Sequence, residues 1–185
     1  TPRTSSAASD VYKRQHEGGI SSPLIAHWPK GLKVKAGSIT RQPAHLIDFM
    51  ATFIELGGAT YPKKIGNRQI EPLEGKSLTP IFNNEKRDGH DSIYFHFGTD
   101  RALRQGKWKL VSAKGGKWEL YNLDNDRTDL KDLSSKYPQK VIQMSKEWFN
   151  IAKNKDRLKE KALKPVKPEI KSLSFRKDTS NQLVD

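Results

Sequence analysis

The period of apolar residues changes along this chain, and the changes divide it into four segments. Residues 1–15, TPRTSSAASDVYKRQ, are polar and without period, which predicts a flexible leader. Past His16, the apolar run Pro23-Leu24-Ile25-Ala26-His27-Trp28 lies between glycines and Pro29, the pattern of a short buried strand. Leu46, Ile47, Phe49, Met50, Phe53, Ile54 and Leu56 then recur at helical spacing from His45 to Leu56, and Gly57-Gly58 supplies the stop. A helix after a buried strand is the grammar of a layered α/β fold. Residues 59–90 are loop-rich, with Pro62, Pro72 and Pro80.

Residues 91–153 follow a different rule. Ile93–Phe97, Arg101–Arg104, Lys107–Val111 and Lys117–Tyr121 read as four strands, the third alternating charged with apolar positions. Alternation of period two predicts one wet face and one packed face, hence an antiparallel meander that needs a cover. The cover is a helix starting at Tyr137-Pro138, with proline near its first position. Val141, Met144, Ser145, Trp148 and Ala152 define its inner face, flanked by Ile142 and Phe149. Spacing also points Trp108, Trp118 and Trp148 inward. Residues 154–185 are lysine-rich, with Pro165 and Pro168, and read as a solvated tail.

Composition limits the chemistry. The 185 residues suffice for one domain with an ordinary core, and the net charge of +13 favours polyanionic partners. Without cysteine, the chain has no disulfide, thiolate metal site or cysteine nucleophile. It holds neither a membrane-spanning apolar run nor a secretion signal. The lysine-rich end leaves a basic polyanion-binding module as an alternative function. It carries little aromatic interleaving beyond Phe175, so no specific nucleic-acid partner is expected.

Three blocks resemble the C-terminal third of a sulfatase of the arylsulfatase type, within the alkaline-phosphatase-like superfamily. HEGGISSPLIAHWPKGL looks like the family's Glu-Gly-Gly block. His45-Leu46-Ile47-Asp48 through Thr52 to Gly57 looks like its His-x-x-Asp-x-x-Pro-Thr helix, with Ala51 in place of proline. Arg101 to Leu110, followed by Trp118-Glu119-Leu120-Tyr121-Asn122-Leu123, looks like its C-terminal hairpin. The resemblance implies an α/β fold in which residues 16–90 are the last strand-and-helix unit of the catalytic domain. Residues 91–153 would be the four-stranded antiparallel subdomain with its helix. The leader resembles no sulfatase segment and looks like a translated sequencing-adaptor remnant.

The resemblance also implies sulfate-ester hydrolysis, with a formylglycine nucleophile made from C/S-x-P-x-R and a calcium ion held by carboxylate and amide oxygens. No such motif occurs in the chain. The catalytic centre and metal ligands are therefore expected upstream, in the full-length enzyme, and this chain alone is expected to be inactive. Phosphodiesterases and phosphonate hydrolases of the same superfamily are an alternative. The substrate would be a sulfated small molecule or sulfated glycan, and the family's bacterial members suggest a periplasmic or secreted location.

Substrate contacts are expected from His16, His96 and Arg101. In family register, Tyr12 replaces a sulfate-contacting lysine and Lys13 falls one residue late, so neither is assigned. Glu17 reads as structural, bonding nearby amides. His27 reads as a hydrogen-bonded core histidine, and His45 with Asp48 as a structural pair one helical turn apart.

Overall fold

The computed structural model describes residues 16–156. In chain order the elements are α1 (Glu17–Ile20), α2 (Asp48–Leu56), β1 (Lys64–Ile65), β2 (Arg68–Gln69), α3 (Thr79–Phe82), β3 (Ile93–Phe97), β4 (Asp100–Gln105), β5 (Trp108–Ser112), a 3-10 turn (Ala113–Gly115), β6 (Glu119–Asn122) and α4 (Pro138–Asn154). Strands β3 to β6 form one antiparallel sheet in sequential order, and β1 and β2 form a separate hairpin. The leader, with Tyr12 and Lys13, lies outside the described residues, as does the basic segment from residue 157 onward. No helix among the described residues is long and apolar enough to cross a membrane.

The expected meander and its cover are both present. Register places Leu103 opposite Leu110 and Leu110 opposite Leu120, so three leucines form a row across one face. Helix α4 starts with Pro138 at its first turn and lies over that row. Met144, Trp148 and Ala152, four residues apart, meet the leucines and are fully buried. The indole N–H of Trp148 donates to the Phe95 carbonyl at 3.1 Å, which ties the helix to the edge strand. Of the three tryptophans expected inside, Trp148 is buried in this core, and Trp108 and Trp118 pack against its margin, partly buried.

The other face of the sheet corrects the expectation of a wet surface. Ala102, Val111 and Tyr121 are buried there with Phe95 packed against them. Lys109, a charged position in the alternating pattern, shares that face and is fully buried. Alternation reports only that two faces differ in chemistry. A charged row can be covered when carboxylates come with the cover, as they do here from α1 and the loop through Asp129.

The predicted strand over Pro23–Trp28 is also corrected. Residues 21–28 form no strand, Ile25 is 87% exposed, and His27 is exposed rather than a core histidine. A strand needs a partner for its backbone donors and acceptors, and no described segment pairs with this one. The glycines before it belong to the single helical turn α1, not to a strand entry.

Helix α2 begins three residues after His45, and its burial is inverted. Asp48, Ala51 and Thr52 are its buried residues, while Leu46 just before it and Phe53 within it are 74% and 66% exposed. The buried side is held by polar chemistry. The Thr52 hydroxyl donates to the Asp48 carbonyl at 2.7 Å and accepts the Leu78 amide at 2.9 Å. Gly75 brings the following loop against the start of this helix. A Cβ there would lie 2.1 Å from the Ile47 carbonyl oxygen, so only glycine fits without a shift.

Candidate functional site

Lys109 is the centre of a buried polar cluster on the second face. Strand β5 points its side chain into the gap between the sheet and α1. There the ammonium donates to Glu17 Oε1 at 2.9 Å and to Asp129 Oδ2 at 2.8 Å. The Glu17 amide also donates to Asp129 Oδ2, at 2.8 Å. Asp129 adopts a left-handed backbone, φ 54°, an uncommon state for a residue other than glycine. One buried cation thus joins the Glu-Gly-Gly turn to a loop 112 residues further along the chain. The Glu17 carboxylate meets an ammonium where amides were expected.

His16 sits beside this cluster. Its Nε2 lies 3.3 Å from Glu119 Oε2, and because a carboxylate only accepts, the contact requires the proton on Nε2. The ring meets Tyr121 edge-on at 5.9 Å. Tyr121 in turn donates its hydroxyl to the same Glu119 oxygen at 2.8 Å. Burial, then the bond and charge of Glu119, push the Tyr121 phenol well above its ordinary value, so it remains a donor at all working pH. The His16 side chain retains 29% exposure, so part of it is open to solvent.

His96 and Arg101 come together elsewhere. They are opposite one another on β3 and β4, on the face covered by α4. His96 Nδ1 lies 3.1 Å from Asp156 Oδ2 and Nε2 lies 2.9 Å from the Gly98 carbonyl. Tyr94 donates to the same Asp156 oxygen at 2.8 Å. Burial, and then Asp156, push the Tyr94 phenol far up. Arg101 is 3% exposed, its guanidinium 5.2 Å from the Trp148 ring and 5.7 Å from the Phe149 ring. Burial lowers the Arg101 pKa, which leaves the group charged at neutral pH. The three expected contact residues therefore divide between two faces of the sheet, with His16 on one and His96 with Arg101 on the other.

A third cluster turns on Asp48. Its carboxylate accepts from the His45 amide at 2.8 Å, the Lys76 amide at 2.9 Å, Arg87 at 2.9 Å and His90 at 2.6 Å. The expected pairing of His45 with Asp48 is present, through the His45 backbone. The partners Arg87 and His90, like the pair Lys109 and Asp129, carried no local sequence signal, because each cation meets its carboxylate across a long stretch of chain.

Among the described residues no group of three or more His, Asp or Glu side chains converges to hold a metal ion, and Glu17 and Asp129 share the Lys109 ammonium instead.

The family model described as N-sulphoglucosamine sulphohydrolase, C-terminal, matches residues 12–155, most of the chain. The chain belongs to the sulfatase family. A sulfatase of Formosa agariphila is 27% identical over 139 residues, covering 66% of this chain and 24% of the relative. The N-acetylglucosamine-6-O-sulfatase of Bacteroides thetaiotaomicron is 27% identical over 128 residues, covering 62% and 21%. Among solved structures, Ps i-CgsB is similar with a TM-score of 0.52 and 28% identity, over 67% of this chain and 27% of that one. It has also been solved in complex with k-i-k-neocarrahexaose. This sulfatase chain spans about a quarter of the length of these relatives. Its α/β character, antiparallel sheet and covering helix are those of the sulfatase C-terminal region.

Proposed function

We propose that this chain is the C-terminal part of an enzyme that hydrolyses sulfate esters of carbohydrates, and that the chain alone hydrolyses none. The observation that carries the reading is the single family match across residues 12–155, spanning the Glu-Gly-Gly turn, the Asp48 helix and the covered meander in one register. The carbohydrate class is supported by two relatives, one named for N-acetylglucosamine-6-O-sulfate chemistry and one solved with a hexaose. Sulfate-ester hydrolysis needs a nucleophile and cationic stabilisation of the sulfuryl oxygens. Formylglycine and calcium would supply these in the full-length enzyme. The chain lacks a C/S-x-P-x-R motif from which formylglycine could be made.

Within the full-length enzyme His16 is assigned to substrate contact through the part of its side chain that is open to solvent. His96 and Arg101 would shape a separate contact at the β3–β4 end, with Arg101 acting through its neighbours. A periplasmic or secreted location accompanies this reading. A turnover assay on the purified 185-residue chain with calcium, using an aryl sulfate and a sulfated disaccharide, is expected to read background. Turnover above background would overturn the inactivity of the chain. The genomic sequence upstream is expected to continue the reading frame and to encode C/S-x-P-x-R. A start codon adjoining the codon for His16 would overturn the enzyme reading.

A further inference from the structure

Buried ion pairs are weak contributors to stability, because desolvating the charges offsets most of their attraction. They do fix geometry, since a buried ammonium must keep its partners within bonding distance. The Lys109 cluster is an extreme case, with one cation bonded to two carboxylates in a site where Lys109 and the Asp129 side chain have no exposure. Asp129 holds a left-handed backbone while receiving both the Lys109 ammonium and the Glu17 amide on one oxygen. Residues 21–28, immediately after the turn, form no strand, and their backbone bonds are local ones, from Ser21 to Glu17 and from Gly31 and Leu32 to Trp28. The placement of residues 16–20 therefore comes from Lys109, Asp129 and the neighbouring contacts of His16 with Glu119 and Tyr121.

We propose that Lys109 is a positioning residue: by clasping Glu17 and Asp129 it fixes the His16–Ile20 turn on the sheet and thereby sets the orientation of the His16 imidazole. The substrate role of His16 rests on the sulfatase reading above, whereas the clasp itself does not. The arrangement gives a division of labour. Strand β5 supplies the cation, the loop through Asp129 supplies a fixed anion, and the Glu-Gly-Gly turn is the movable part brought to them. A neutral turn would lose the ammonium and retain the Glu17 amide's bond to Asp129, the edge contact of His16 on Tyr121 and its bond to Glu119.

Hydrogen exchange and side-chain NMR on the 185-residue chain test the clasp. The Glu17 amide, bonded to Asp129, reports the turn, and the Trp148 indole N–H, bonded to Phe95 on the opposite face, reports the core. Lys109→Met removes the cation at similar length, and a triple variant, Lys109→Met with Glu17→Gln and Asp129→Asn, removes all three charges. The triple variant guards against misfolding caused by two uncompensated carboxylates. Expected in the triple variant is exchange of the Glu17 amide at least tenfold faster, with His16 ring resonances moved toward free histidine and the Trp148 indole unchanged. Unchanged exchange at Glu17, or loss of the Trp148 signal together with it, would overturn the proposal.

A second arm uses the complete enzyme. A purely structural defect lowers the active fraction, so kcat falls at constant KM. Displacement of a substrate-contacting turn is expected to raise KM about tenfold in the triple variant, and an unchanged KM would overturn the positioning role. If the unaltered complete enzyme cleaves no sulfate ester, the sulfatase reading fails while the exchange result still decides the clasp.

Discussion

The guanidinium of Arg101 lies 5.2 Å from the centre of the Trp148 indole, and neither side chain has more than marginal contact with solvent. Trp148 is thus the meeting point of three things: the leucine row of the sheet, the cation of β4 and the carbonyl of Phe95. Replacing it with alanine opens a cavity and removes the indole donor from the Phe95 carbonyl. The expected loss is about 3–5 kcal/mol, comparable to everything a core of this size provides. Trp148→Ala is therefore expected to lack a cooperative urea transition by near-ultraviolet circular dichroism. Trp148→Phe, which keeps most of the volume, is expected to retain one at lower midpoint. A native-like midpoint for the alanine variant would contradict this account of the core.

Asp48 leads to a prediction about acid. Burial alone pushes its carboxyl up, but hydrogen bonds from the Lys76 and His45 amides, then His90 and Arg87, overcome burial and hold it below the ordinary value of 3.8. A carboxyl depressed in the folded state contributes stability above the unfolded value and loses it as pH falls through the folded one. His45 acts in the same direction. Burial, the largest influence, lowers its pKa from 6.5, so folding disfavours its protonated form. The urea midpoint is expected to decline gently below about pH 6.5 and more steeply below about pH 4. Asp48→Asn leaves the buried Arg87 guanidinium without its anion, at a cost of about 3–5 kcal/mol, and should flatten the steeper limb to what Asp126 and Asp132, also held below 3.8, contribute. Equal acid profiles for the two proteins would exclude Asp48 as the titrating group.

The contrast between Trp148 and Lys109 shows how far the sequence alone reaches. The meander, its helix and the inward tryptophans were legible because they are local: alternation and helical spacing are properties of short windows. Lys109 was not, because a lysine between apolar residues reads as solvated until Glu17 and Asp129 are brought to it from 92 and 20 residues away. The apolar run Pro23–Trp28 failed for the opposite reason. Its composition announces a strand, but a strand exists only with a partner, and pairing is not written in the run itself. His16, His96 and Arg101 could be named as candidates, yet their division between two faces follows from register, which only the folded sheet determines.

The inverted helix α2 predicts behaviour in solution. Met50 and Phe53 lie a turn apart on its exposed side with Leu46 just before them, while Asp48 and Thr52 face inward. Exposed contiguous apolar surface promotes self-association. The double variant Met50→Gln/Phe53→Gln is expected to reduce light scattering at high protein concentration and to change the thermal midpoint little. These side chains contribute little burial within the described residues, so a large fall in the midpoint would show that they are packed after all.

Gly75 tests the seat of that same helix. A methyl group there would overlap the Ile47 carbonyl oxygen at 2.1 Å, and the obstructing atom is backbone. Either the loop or the start of α2 must move, and the neighbouring Lys76 amide would then lose its bond to Asp48. Gly75→Ala is expected to cost about 1–3 kcal/mol, the range of an overpacked site. Amide exchange at Lys76 should quicken while the Trp148 indole, in the separate core under α4, stays protected. Equal protection at Lys76 in both proteins would mean that the loop accommodates the methyl group freely.

The lysine-rich end supplies a prediction about polyanions that does not depend on catalysis. Residues 154–185 carry nine Lys and Arg against five Asp and Glu, so they hold less than a third of the net +13. If retention on heparin follows net charge alone, deleting this segment should lower the eluting salt concentration in rough proportion, by about a third. If the segment is a dedicated polyanion-binding arm, deletion should abolish retention although most of the net charge remains. The first outcome is expected, because the segment has charge but almost no aromatic side chains to add to it. Comparing heparin with a dextran sulfate of equal charge density separates the cases further. Charge-driven retention treats the two polymers alike, whereas a built site distinguishes them.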